Sequence, residues 1–294
     1  MGPESSSRTG RLTVLGYQLY YRIFEPPTPK GTLLALHGGP GMSHSYLLPL
    51  ADLCDFGYRV VFFDQLGCGD SELPSDNSLF SIEHNIEEVE GIRQGLDLGT
   101  VHLLGSSYGG LLALAYGLRY QSHLKSITTT GGLTDVPLTV AEMNRLKSEL
   151  PAEIRTTLER YERKGEYHHP EYEAAVMEFY RRHVCRLPTW PAEVVDTFRR
   201  VSTPVYYHMN GPNEFIITGT IKDVNFTSEL HRIRIPCLVT TATFDEVTPK
   251  VAEEIHRAIP QSRLVLFEGC SHLPMWEDRG RYCHTLAEFL DRVN

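Results

Sequence analysis

The chain has 294 residues and a formal net charge of −9, with 41% hydrophobic and 22% charged residues. This length supports one large core or a core with an insertion, and the apolar content is too high for a disordered chain. The acidic balance argues against a nucleic-acid partner, which calls for concentrated Lys and Arg to displace counterions.

Taken in order, residues 1–10 read as a mobile tail, and LTVLGYQLYYRIF (12–24) as a hairpin bent at Gly16. TLLALH (32–37) and RVVFFD (59–64) are short apolar runs with the look of buried strands, separated by a helix over Leu47 to Cys54. Ile82, Ile86, Val89, Ile92 and Leu96 keep helical spacing. VHLLG (101–105) is a strand, Tyr108 to Tyr120 a helix and LKSITTTGG (124–132) another strand. From about Leu133 to Leu230 the chain turns rich in Glu, Arg and Tyr, with helical periods and no strong buried strand. The earlier pattern then returns as strand PCLVTTA (236–242), helix Pro249 to Ile259, strand RLVLFEG (263–269) and helix Gly280 to Val293. Strands alternating with helices imply a mostly parallel sheet covered on both faces. The expected organisation is a core over 1–132 and 231–294, interrupted by a helical cap over 133–230.

The longest apolar stretch, Val101 to Leu118, is broken by glycines and serines, so no membrane partner is expected. MGPESSSRTGR lacks the apolar stretch of a secretory signal, which points to the cytoplasm. The six cysteines form no CxxC pair and read as free, mostly buried thiols; no metal site is expected.

Gly105-Ser106-Ser107-Tyr108-Gly109 matches G-x-S-x-G, with a strand before it and a helix after it. That is the setting of a nucleophile elbow, and its register selects Ser107. A serine hydroxyl needs a general base, and the base an orienting acid, in the chain order Ser, acid, His. Among the histidines beyond 230, His256 and His284 fall inside helices and His231 precedes the returning strands. His272 alone follows a strand directly, at the carboxyl edge where ligands gather in open α/β folds. Asp245 follows strand LVTTA and is the nearer candidate acid; Glu246, one residue on, is expected to point elsewhere. The glycine-rich loop His37-Gly38-Gly39-Pro40-Gly41 can turn backbone N–H groups toward an oxyanion, with the N–H of Tyr108 as the second donor. His44 and Tyr46 are candidates for the site mouth, and Tyr206, Tyr207 and His208 for a side-chain pocket.

These residues resemble the proline iminopeptidase group of serine α/β-hydrolases, and within it the tricorn-interacting aminopeptidases most. The resemblance runs through HGGPGMSH (37–44), DQLGCGDSE (64–72), GSSYGGLLALAY (105–116), PLTVAEMNRL (137–146), NGPNEFIITGTIKD (210–223), FDEVTP (244–249) and CSHLPMWEDR (270–279). It implies the α/β-hydrolase fold with a helical cap. It implies Ser107 as nucleophile, Asp245 as acid, His272 as base, and Gly39 with Tyr108 as oxyanion donors. It also implies that Glu214 and Glu246 bind the free α-amino group of a short peptide or amino-acid amide, without metal or organic cofactor. The first residue released would be proline or another apolar one. Two other classes are an amidase or esterase of a specialised metabolite that ignores a free amine, and a non-catalytic binding protein on the same fold.

Overall fold

The computed structural model describes residues 6–294. β1 (Ser6–Val14) and β2 (Tyr17–Glu25) form the expected hairpin, joined by Leu15 and Gly16, both at positive φ (51° and 91°). Such two-residue turns follow the twist of the paired strands. β1 begins at Ser6, so residues 6–10 are strand and not tail, because they pair with β2 as far as Glu25. Residues 1–5 of the expected tail lie outside the described residues.

β3 (Gly31–Leu36), β4 (Tyr58–Phe63), β5 (Val101–Ser106), β6 (Leu124–Thr130), β7 (Cys237–Ala242) and β8 (Ser262–Phe267) complete an eight-stranded sheet in the order β1-β2-β4-β3-β5-β6-β7-β8. Pairing is parallel from β4 through β8, and antiparallel only in β1–β2 and β2–β4. The strand order reverses between β4 and β5, around β3, which sets the crevice at the carboxyl edge.

Helices cover both faces. α1 (Ile82–Gly95), α2 (Tyr108–Tyr120) and α8 (Pro249–Ala258) bury one face against Leu34, Leu36, Leu103 and Val239. The other face carries α9 (Pro274–Glu277), α10 (Arg279–Val293) and the segment His44–Phe56. That segment, expected as an α-helix over 47–54, runs instead as tight 3₁₀ turns with Pro49 inside. Proline lacks the N–H that an α-helical turn requires and crowds the preceding turn. Each fully buried Leu or Val in these layers contributes about 2 kcal/mol of transfer free energy.

Between β6 and β7 the chain forms five helices: α3 (Val136–Ser148), α4 (Ala152–Glu162), α5 (Pro170–His183), α6 (Ala192–Arg199) and α7 (Thr203–Met209). α3 starts where the Asp135 carboxylate accepts from the Leu138 N–H at 2.8 Å, with Pro137 in the first turn. α3, α4, α5 and α7 share a third apolar cluster with Tyr108 and Leu111 of α2, which places them over the helix that follows β5, whereas α6 packs through Val194 into the cluster of the His44–Phe56 segment. No helix of the described residues is long and apolar enough to cross a membrane. All six cysteines are free and buried.

Candidate active site

Ser107 is the whole of the turn between β5 and α2, and its backbone takes φ 57°, ψ −125°. That is a strained conformation for any residue with a side chain. The two motif glycines are fixed by space. A Cβ on Gly105 would lie 1.8 Å from the Gly109 carbonyl oxygen, and one on Gly109 would lie 2.3 Å from that of Leu36. The Ser107 N–H donates to Thr130 O at 2.9 Å, tying the elbow to β6.

His272 lies in the loop after β8, and its Nδ1 is 2.6 Å from Asp245 Oδ1 in the loop after β7. Asp245 Oδ1 also accepts from the Val247 N–H at 2.9 Å. This local turn curls the loop, so Glu246 does not point away as expected. Its Oε1 stands 3.8 Å from His272 Nε2, and its Oε2 is buried without a hydrogen-bond partner. The two adjacent carboxylates therefore face the two nitrogens of one imidazole. Burial opposes charge on His272, but Asp245, then Glu246 and Glu214, outweigh it and raise the pKa. Burial raises the pKa of Glu246 against the pull of the imidazolium, helped by Glu214 and Asp245.

Two supports of this group carry no sequence signal of their own. The His183 carbonyl at the end of α5 accepts from both the Glu246 and the His272 N–H, at 3.2 and 3.1 Å. Gly131, just after β6, lies so close that a Cβ there would be 2.6 Å from the His272 ring. The glycine pair after TTT was visible in the sequence, but not what it clears.

The glycine loop follows β3. His37 Nε2 accepts from the Gln65 N–H at 3.0 Å, so its Nδ1 carries the proton and faces Gly38 O at 3.0 Å. The Gly38 N–H donates to Tyr46 Oη at 2.7 Å, and Gly39 next to it takes φ 112° and faces the cavity. The Tyr108 N–H belongs to the first turn of α2, where helical N–H groups have no helical acceptor. Its phenol donates to Asn85 Oδ1 at 2.7 Å, and Asn85 donates to Glu88, a carboxylate that also receives the Leu66 N–H. His44, expected near the mouth, is instead buried against Asp64, with both its N–H and Nδ1 at 2.8 Å from Oδ1.

Glu214 comes from the loop after α7. Tyr206 Oη donates to its Oε1 at 2.7 Å and Tyr180 Oη to its Oε2 at 2.5 Å. Tyr180 escaped the sequence reading because one tyrosine in an ordinary amphipathic helix looks like core. Ser107, His272, Gly39, Tyr108, Glu214 and Glu246 all line a single cavity, with Asp245 behind the histidine. Among the described residues no group of three or more His, Cys, Asp or Glu is placed to hold a metal ion.

An elbow serine at the carboxyl edge of a parallel sheet of this order is the mark of one large class, and the chain belongs to it: it is a serine hydrolase with the α/β-hydrolase fold. The family description of the alpha/beta hydrolase fold matches residues 31–279. A proline iminopeptidase of Thermoplasma volcanium is 46% identical over 290 residues, 98% of each chain. The crystal structure of a Mycobacterium smegmatis proline iminopeptidase superposes with a TM-score of 0.90 at 33% identity, covering 98% of both chains. That of VinJ gives 0.94 at 31% identity, over 98% of this chain and 99% of the other. The chain belongs to the proline iminopeptidase family of α/β-hydrolases. These relatives give that group and not its tricorn-interacting branch.

Proposed function

We propose that the protein releases an N-terminal proline or another apolar residue from short peptides or amino-acid amides. Ser107 is the nucleophile, His272 the base and Asp245 its orienting acid. The observation that carries the reading is that Ser107, His272 and the two carboxylates Glu214 and Glu246 line one cavity. The substrate ammonium lies between those carboxylates. Glu246 Oε2 is buried and unpartnered, which leaves it an acceptor for a cationic N–H donor. Glu214 is held in place by two phenols and keeps free lone pairs. Apart from Thr139, Asn210 and the tyrosines, the rest of the wall, including Leu133, Met143, Ile217, Ile221 and Val247, is apolar and suits a proline ring.

Ser107 attacks the carbonyl of the first residue while His272 takes its proton. The oxyanion rests on the N–H groups of Gly39 and Tyr108; that of Gly38 is already bound to Tyr46. His272 then gives the proton to the leaving amine, and water, activated by the same histidine, hydrolyses the acyl-enzyme. Residues 133–230 act as the cap that closes this cavity, in keeping with an exopeptidase that admits only a chain end.

The test is hydrolysis of prolyl-, alanyl- and phenylalanyl-naphthylamides beside their N-acetylated forms and a p-nitrophenyl ester. Cleavage of free-amine substrates alone, with loss of at least about a thousandfold in Ser107→Ala, is expected. Indifference to acetylation would remove the amine clamp and make the protein a general esterase.

A further inference from the structure

A second cavity adjoins the first, and its walls are built from the inserted helices. Met42, Tyr180, Phe198 and Glu214 line both cavities. On its far side the outer cavity is lined by Tyr167, Tyr172, Val176, Met177, Val201 and Tyr207. At one rim Tyr207 Oη lies 2.7 Å from His168 Nε2, a bridge between the loop after α4 and helix α7. Its charged lining consists of two carboxylates, Glu173 and Glu214, and includes no lysine or arginine among the described residues.

The inner cavity encloses the scissile bond on the reading above, and its buried walls leave a leaving group of more than a few atoms little room. The shared wall is where such a group can pass outward. What it meets there is aromatic and aliphatic surface with an acidic charge. With Glu214 paired to the substrate ammonium, a peptide ending in a free carboxylate right after the second residue would bring its anion toward Glu173, with no lysine or arginine to receive it and only His168, bound to Tyr207, at the rim. An uncharged aromatic or aliphatic amine meets flat tyrosine faces at no such cost.

Building on the proposed aminopeptidase activity, we infer that the outer cavity is the binding site for the leaving amine and selects an uncharged, apolar one: an arylamide, a C-terminally amidated dipeptide, or a longer peptide whose carboxylate lies beyond the rim. Free dipeptides are the substrates it disfavours.

The experiment measures kcat/KM for prolinamide, prolyl-naphthylamide, Pro-Leu-amide and free Pro-Leu on the wild-type enzyme, Met177→Trp and Glu173→Lys, with circular-dichroism melts for each. Prolinamide releases ammonia, which does not reach the outer cavity, so every result is read as a ratio to prolinamide within the same protein. In the wild type Pro-Leu-amide should exceed free Pro-Leu by about tenfold or more. Met177→Trp, which fills the cavity, should lower the naphthylamide-to-prolinamide ratio by about tenfold. Glu173→Lys, which supplies a cation, should narrow the gap between free and amidated dipeptide by about fivefold. Equal rates for free and amidated dipeptide in the wild type, or unchanged ratios in both folded variants, would overturn the inference while leaving the aminopeptidase reading intact. If no free-amine prolyl substrate is cleaved by the wild type, the parent reading fails and this one falls with it.

Discussion

Glu246 stands 3.8 Å from His272 Nε2, the nitrogen that receives the serine proton in the proposed mechanism, and in that mechanism it serves two ends at once. In the free enzyme it stabilises the imidazolium and keeps the base protonated to higher pH. A bound substrate ammonium compensates its charge, and the histidine becomes easier to deprotonate. The acid limb of kcat, which reports the complex, should therefore lie at lower pH than that of kcat/KM, which reports the free enzyme. Glu246→Gln removes a charge that raises the His272 pKa, so its acid limb of kcat/KM should move to lower pH as KM rises. An unmoved limb in pH–rate profiles would separate Glu246 from the base. Glu214 depends on its phenols in a simpler way. Tyr180→Phe or Tyr206→Phe deletes one oriented hydrogen bond, worth about 1.5–3 kcal/mol on a charged acceptor, and should lower kcat/KM by about tenfold or more with most of the change in KM.

The element that decides the chemistry is the strand–turn–helix β5–Ser107–α2. It was legible in the sequence because its requirements are local: a buried strand, a one-residue turn, and glycines where backbones touch. Gly109→Ala puts a methyl 2.3 Å from the Leu36 carbonyl, a backbone atom that cannot swing aside. A loss of about 3 kcal/mol of stability is expected, at the upper end of overpacking costs, read as a fall in the urea midpoint. The loop after β7 shows the opposite case. The sequence placed Asp245 at the strand end, but the turn made by its side chain on the Val247 N–H decides where Glu246 faces. Likewise the segment His44–Phe56 has helical composition, and one internal proline changes how its turns close.

Across the whole molecule, the inserted helices and the sheet are not independent bodies. Tyr108 and Leu111 of α2 share an apolar cluster with Leu158, Tyr172 and Phe179 of the insertion, and the end of α5 holds the backbones of Glu246 and His272. Phe179 is fully buried, with Phe215 edge-on at 4.7 Å. Phe179→Ala should cost about 3–5 kcal/mol. Because the cluster is shared, that loss should move one common transition, with activity, near-UV and far-UV signals falling together in urea. Separate transitions for activity and far-UV signal would mean that the insertion unfolds alone.

Alternating strand and helix patterns, the elbow, the HGGPG loop and the order Ser107, Asp245, His272 are properties of short segments, and the sequence alone determined them. It also carried the resemblance that implied Glu214 and Glu246. What needed the tertiary structure was every contact between segments far apart in the chain: Tyr180 and Tyr206 on Glu214, the His183 carbonyl under two loops, the space left by Gly131, and the cavity outside Glu214. Periodicity reports which face of an element is buried, but not which distant side chain it is buried against. That choice is made only when the helices between β6 and β7 pack back over the carboxyl edge of the sheet.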